Sequence, residues 1–166
     1  MNRPSSPVKR CVRCSSVAPL RNHVAEVSRE VAGHLFVAFV PARECTSCGE
    51  SYFDSAAVEC FELHVAMRLV DAGLVNGDAF RFMRKALRMH ASELAELLDV
   101  APETVSRWET EKRAVTRGAC AIVAGLVRDA FEGRTVTVDN LRRLQRPHTL
   151  DRRVTIEIAA GKLRAS

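Results

Sequence analysis

Four of the six cysteines fall into two Cys-x-x-Cys pairs, Cys11-Val12-Arg13-Cys14 and Cys45-Thr46-Ser47-Cys48, with 30 residues between them. Two-residue spacing lets a tight turn aim both sulfurs at one ion, and four thiolates closing a tetrahedron are a ligand set that zinc takes in structural sites. Iron held as in rubredoxin suits the same four thiolates, and composition alone does not separate the two metals. A shell of four protein ligands leaves no position for water, so the expected cofactor is a structural Zn2+ rather than a hydrolytic one. Gly49, directly after the second pair, suits a turn at positive φ. Cys60 and Cys120 each stand alone in an apolar helical pattern and read as core side chains. The five histidines, His23, His34, His64, His90 and His148, are scattered and show no ligand spacing.

A second constellation lies between Ala91 and Trp108. Ala95 is small enough for two helices to approach closely, Val100 plugs the turn between them, and Leu94, Leu98, Val105 and Trp108 face a core. Pro102 suits the first turn of the second helix, where its missing N–H had no helical partner. Glu103, Thr104, Ser106 and Arg107 are left on or near the outer surface at the N-terminal end, the part of such a helix that enters a DNA major groove. Arg107 is suited to bidentate contact with guanine, and Thr104 to a base edge or a thymine methyl. Lys112 and Arg113 beyond the second helix are expected to hold phosphates, and Ser92 at the start of the first helix completes the expected DNA-contacting set.

These two sets of residues need different supports. The Val- and Phe-rich stretch from His23 to Val40, with Gly33 in its middle, predicts a β-hairpin between the cysteine pairs, ended by Pro41. Beyond Asp54 the pattern turns helical. Ser55 is expected to cap a helix to about Ala72 with Val58, Phe61, Val65 and Leu69 on one stripe, and Asp78 to cap another through Arg88. Further helices are expected over 91–98, 102–109 and 117–132, a short one over 139–145, and a strand at Val154, Ile156 and Ile158. The fold class is therefore α+β: a small β-hairpin zinc module followed by an all-α helix-turn-helix domain. The expected division is a loose tail (1–10), a four-cysteine module (11–54), a linking helix (55–76), the helix-turn-helix domain (77–133) and a basic C-terminal extension (134–166), with separate cores for the two modules.

Charge supports a polyanionic partner. Lys and Arg number 25 against 20 Asp and Glu, and the whole surplus of +5 falls in residues 134–166. The longest uncharged run, Val31 to Ala42, is too short to span a bilayer, so the expectation is a cytoplasmic protein with no membrane partner. No motif combines a nucleophile, a base and an orienting group, which points away from an enzyme.

The chain resembles the MqsA/YgiT-type zinc-finger antitoxins and regulators. The likeness rests on Cys11-x-x-Cys14, on the run Val40-Pro41-Ala42-Arg43-Glu44-Cys45-x-x-Cys48-Gly49-Glu50-Ser51-Tyr52, and on Thr104-Val105-Ser106-Arg107-Trp108-Glu109. It covers residues 11 to about 132. The resemblance implies an XRE/lambda-repressor-like domain that forms a homodimer and represses its own operon by binding double-stranded operator DNA. It further implies a zinc module that neutralises a toxin protein, so that the chain is the antitoxin of a type II toxin-antitoxin pair. Cys11, Cys14, Cys45 and Cys48 match the family's zinc ligands, and Arg107 its DNA-contacting arginine. Three positions depart from the pattern: Ala91 where glutamine is frequent, Asp99 at the turn glycine, and Glu111 at the glycine after the Trp-Glu pair. The alternatives are a stand-alone helix-turn-helix transcription factor whose zinc module is structural, and a rubredoxin-like electron carrier fused to helices.

Overall fold

A computed structural model describes residues 10–17, 20–147 and 149–155. Among these residues the α+β architecture consists of a three-stranded antiparallel sheet followed by six helices. Strands β1 (Leu20–Val31) and β2 (His34–Cys45) form one long hairpin, in register from Leu20↔Cys45 to Val31↔His34, and β3 (Ser51–Phe53) pairs with Ala42–Glu44 of β2. At about 3.3 Å per residue the two ends of this hairpin lie roughly 35 Å apart. The cysteine pairs occupy one end. At the other, the two-residue loop Ala32-Gly33 has positive φ at both positions, 52° and 77°, the backbone whose twist matches a hairpin.

The hairpin is longer than its apolar pattern suggested, because Pro41 does not end β2. Pro41 pairs with Val24, and β3 reaches only Ala42–Glu44, so this stretch of β2 has no second neighbour to need the missing N–H.

The helices are α1 (Ser55–Asp71), α2 (Gly77–Ala86), α3 (Ala91–Leu97), α4 (Pro102–Glu109), α5 (Arg117–Glu132) and α6 (Val136–Gln145). Two caps differ from the expected ones. Asp54, not Ser55, caps α1 by accepting from the Ala56 N–H at 2.8 Å. Asn76 caps α2 by accepting from Ala79, which leaves Asp78 in the first turn for another task. Its Oδ2 accepts the Ala32 N–H at 2.6 Å and so fastens the hairpin tip to α2.

One core joins sheet and helices. Val31 at the hairpin tip is buried together with Phe61, Val65 and Leu69 of α1, Phe80 and Met83 of α2, Leu94 and Ala95 of α3, Val105 and Trp108 of α4 and Val123 and Val127 of α5. Val27, Phe36 and Ala38 pack against the same cluster, and Arg29 pairs with Glu62 of α1 across the joint. The expectation of two separate cores is therefore not met at the tip of the hairpin, where β2 packs on α1 and β1 on α2. The opposite face of the hairpin leaves Val24, Leu35, Val37 and Phe39 exposed.

Cys120 is buried as expected, but Cys60 is exposed on α1 with its sulfur 3.6 Å from His64 Nδ1. The apolar stripe of α1 passes through Phe61 and Val65 instead, one residue off the cysteine. The short helix expected over 139–145 starts three residues earlier. Val154 lies in no strand, and Ile156 and Ile158, like His148, lie outside the described residues.

Candidate metal centre and nucleic-acid interface

The two cysteine knuckles are built alike. In the first, Cys11 N–H donates to Ser16 O and Ser15 N–H to Cys11 O, both at 2.9 Å; in the second, Cys45 N–H donates to Glu50 O at 2.8 Å and Gly49 N–H to Cys45 O at 2.9 Å. Each turn closes through a residue at positive φ, Ser15 at 56° and Gly49 at 74°. The glycine was legible in the sequence; Ser15 was not, since serine carries no such signal. Residue Cys45 ends β2, and β3 follows the second knuckle, so the sheet register sets where both sulfurs of that pair point.

All four Sγ atoms lie within 4.8 Å of one another. Cys11 and Cys48 approach to 3.5 Å and Cys14 and Cys45 to 3.8 Å. A tetrahedron with metal–sulfur bonds of ~2.3 Å has edges of ~3.8 Å, so the arrangement fits one ion with four thiolate ligands. The protein's own electrostatics do not ionise all four sulfurs. The Tyr52 hydroxyl, donating to Cys11 Sγ at 3.0 Å, together with backbone N–H groups of Cys14 and Arg13, lowers the Cys11 thiol to about 6. At Cys48 the Glu50 N–H favours the thiolate, but burial and the three neighbouring sulfurs outweigh it and push the thiol up to about 12. Four adjacent thiolates repel, and a divalent cation among them removes that repulsion. These four cysteines are thus a site able to hold a metal ion.

Around the sulfurs lies a set of contacts that spacing alone did not reveal. Tyr52 Oη accepts the Val12 N–H at 2.8 Å while donating to Cys11, so β3 orients the first knuckle through one side chain. Arg13 pairs with Glu50 at 3.0 Å, and Ser16 Oγ lies 3.1 Å from Ser47 Oγ. Both contacts tie one knuckle to the other.

The second constellation takes the geometry its spacing implies. Leu94, Ala95, Val105 and Trp108 are at most 3% exposed, and Val100 is half-buried against them. The turn after α3 is a Schellman motif: Asp99 N–H donates to Glu96 O at 3.2 Å and Val100 N–H to Ala95 O at 3.0 Å, with Asp99 at φ 52°. Asp99 therefore does take the left-handed conformation that glycine would hold at lower cost. The indole of Trp108 meets Phe80 edge-on, with ring centroids 5.7 Å apart.

The sequence did not reveal what fixes α4 against α2. Arg84, 8% exposed, forks onto Glu109 at 2.5 and 3.0 Å and donates its remaining terminal nitrogen to Met89 O at 2.6 Å. Nothing in a lone Arg and a Glu 25 residues apart marks them as partners. Glu111, at φ 57°, turns its carboxylate onto the Gly77 N–H at the start of α2 at 3.3 Å. Its charge thereby meets the positive end of a helix.

Of the expected DNA-contacting residues, Ser92, Glu103, Ser106, Arg107, Lys112 and Arg113 are exposed and Thr104 is half-buried. The buried Val105 and Trp108 turn the opposite side of α4 outward, with Ser106 and Arg107 upon it.

Residues 80–124 match the helix-turn-helix family, of the XRE type, whose members are DNA-binding regulators. The match runs from within α2 through α3 and α4 into α5 and covers the turn just described. The chain thus carries the helix-turn-helix of a DNA-binding transcription regulator, preceded by a four-cysteine sheet module. No curated protein matches the chain. No helix among the described residues is long and apolar enough to cross a membrane.

Proposed function

We propose that this chain is a homodimeric repressor that binds a palindromic operator through α4, holds a structural Zn2+ on Cys11, Cys14, Cys45 and Cys48, and acts as the antitoxin of a type II pair. The observation that carries the DNA-binding part is the exposed face of α4 within the matched helix-turn-helix: Arg107 and Ser106 are free of ion pairs among the described residues, and the opposite side of the helix is buried. Arg107 and Thr104 are assigned to bases, Glu103 and Ser106 to the groove, and Ser92, Lys112 and Arg113 to phosphates. Two-fold related recognition helices place half-sites about one helical turn apart, ~34 Å. Gel shifts of the full chain on its own promoter test this. Arg107→Ala should cost about 1–3 kcal/mol and relax preference at one base position, whereas Lys112→Ala should weaken binding evenly across sequences. Unchanged binding by the Arg107 variant refutes the docking.

The toxin partner rests on the resemblance and on one physical feature. Leu35, Val37 and Phe39 form an exposed apolar stripe along β2 on the hairpin of the 11–54 module, with Val24 near one end and Glu26, Ser28 and Glu30 beside it on β1; the four apolar residues are 47–70% accessible, and exposed apolar surface marks protein contacts. The full chain should bind the product of the adjacent gene and rescue growth when that product is expressed. The stand-alone regulator is the competing reading, favoured by Val31, which makes the hairpin a brace for the helices. Failure of both binding and rescue by the full chain decides for it.

A further inference from the structure

The helix-turn-helix itself is short of cations. Between Ala91 and Arg113 stand six acidic side chains, Glu93, Glu96, Asp99, Glu103, Glu109 and Glu111, against three basic ones, Arg107, Lys112 and Arg113. Arg84 neutralises Glu109, but the other five acids are exposed. Affinity for duplex DNA comes chiefly from phosphates neutralised by Lys and Arg. A motif of net negative charge needs cations from elsewhere in the chain.

A cluster of them stands on α6, which packs against α3, and on the segment that follows it in sequence. From Asn140 to Thr155 the chain holds Arg142, Arg143, Arg146, Arg152 and Arg153 against a single acid, Asp151. All five arginines are exposed, and none forms an ion pair with a described residue. Arg68, Arg81, Lys85 and Arg117, the exposed cations elsewhere in the helical part without an ion pair among the described residues, are spread over α1, α2 and α5, with no more than two on one helix. Two anchors hold α6 in place. At its start Asp129, 6% exposed, accepts the Thr137 N–H at 2.5 Å. At its end the Gln145 amide donates to Glu96 O of α3 at 2.6 Å. Arg142 lines the cleft between α6 and α3 with Glu93 and Glu96. Arg142 and Arg143 are thereby carried on a helix fixed at the flank of the first motif helix, whose start carries Ser92, and Arg146 follows at the end of α6.

We propose that α6, with Arg142, Arg143 and Arg146, forms a second DNA-contacting element, in which arginines neutralise backbone phosphates flanking the segment read by α4. The proposal rests on the DNA-binding reading above and deepens it. Arginine suits the task because its planar fork pairs with phosphate oxygens bidentately. Such contacts carry affinity and register but no base preference.

The test uses the full chain and a duplex that the native protein selects from a random pool. Affinity is measured from about 50 to 200 mM salt for the native chain, for Arg142→Gln/Arg143→Gln/Arg146→Gln, and for the corresponding triple lysine variant. Loss of three phosphate contacts should lower the slope of log K against log salt by about 2.7 for each subunit bound, so that the native chain loses ~40-fold more affinity per subunit than the glutamine variant across that range. The lysine variant should keep most of the native slope, and base preference should be the same in all three. Equal slopes for the native and glutamine proteins overturn the proposal. Equal loss in the lysine and glutamine variants also overturns it, since α6 would then be acting through the fold. A glutamine variant whose sedimentation mass falls to that of a smaller oligomer makes α6 a subunit contact and overturns it too. If the native chain binds duplex without selecting a sequence, the operator reading fails while the slopes still decide this one; if it binds no duplex, both fail.

Discussion

Removing the Glu109 carboxylate by Glu109→Ala should strand a guanidinium inside the helical core. Arg84 and Glu109 side chains are only 10% and 9% exposed, and their two contacts at 2.5 and 3.0 Å occupy the fork of the arginine. What remains to Arg84 after the change is one hydrogen bond, to Met89 O at 2.6 Å. Breaking a buried pair from one side costs about 3–5 kcal/mol, because the surviving charge stays desolvated and uncompensated. Domains of this kind are stable by only about 5–15 kcal/mol, so the loss should be plain in urea denaturation of the full chain. Replacing both partners, Arg84→Met with Glu109→Leu, removes the stranded charge and should recover most of the loss. Glu109 also ends α4, so the single variant should bind operator DNA more weakly than the double one. A cost below about 1 kcal/mol for Glu109→Ala, or a double variant as unstable as the sum of the singles, refutes the claim that these side chains are coupled and desolvated.

Other expectations follow from the metal centre, the α5–α6 joint and the turn. Tyr52→Phe removes the hydroxyl that both donates to Cys11 and accepts from Val12; competition with a chromophoric chelator should show metal affinity lowered about 10–100-fold, and an unchanged affinity refutes the orienting role. Asp129 is held below the usual carboxylate range by the Thr137 N–H first, with burial opposing and the Thr137 hydroxyl and Arg134 assisting. Its folded value is depressed, so its contribution is present above the ordinary value of 3.8 and is lost as pH falls below that. Thermal melts of Asp129→Asn should therefore lose less stability than the native chain below about pH 4, and parallel acid limbs contradict this. Asp99→Gly relieves the left-handed strain at φ 52° and should raise stability by up to about 1 kcal/mol, since glycine's freedom in the unfolded chain offsets part of the gain. A destabilised variant means that the carboxylate has a role the turn geometry does not require.

Local chemistry was legible in the chain before any fold was known. Two Cys-x-x-Cys pairs specify knuckles whose sulfurs converge, because the spacing lies within one turn. Ala95, Val100, Val105 and Trp108 specify a helix-turn-helix because their periodicity and sizes are set by contacts within a short stretch of chain. The α+β class and the helices from α1 to α5 could be read for the same reason, each carrying its own apolar stripe or cap. Whatever depends on residues far apart came from packing alone. Pro41 stays within β2 because β3 happens not to cover that edge, and Asp78 serves the hairpin tip because Asn76 takes the cap. The pairings Arg84–Glu109, Tyr52–Cys11 and Gln145–Glu96 span 25, 41 and 49 residues. No local signal encodes such pairs, because a buried or bridging polar contact is chosen by which elements pack together. That packing also places Arg142 of α6 beside Glu93 and Glu96 of α3.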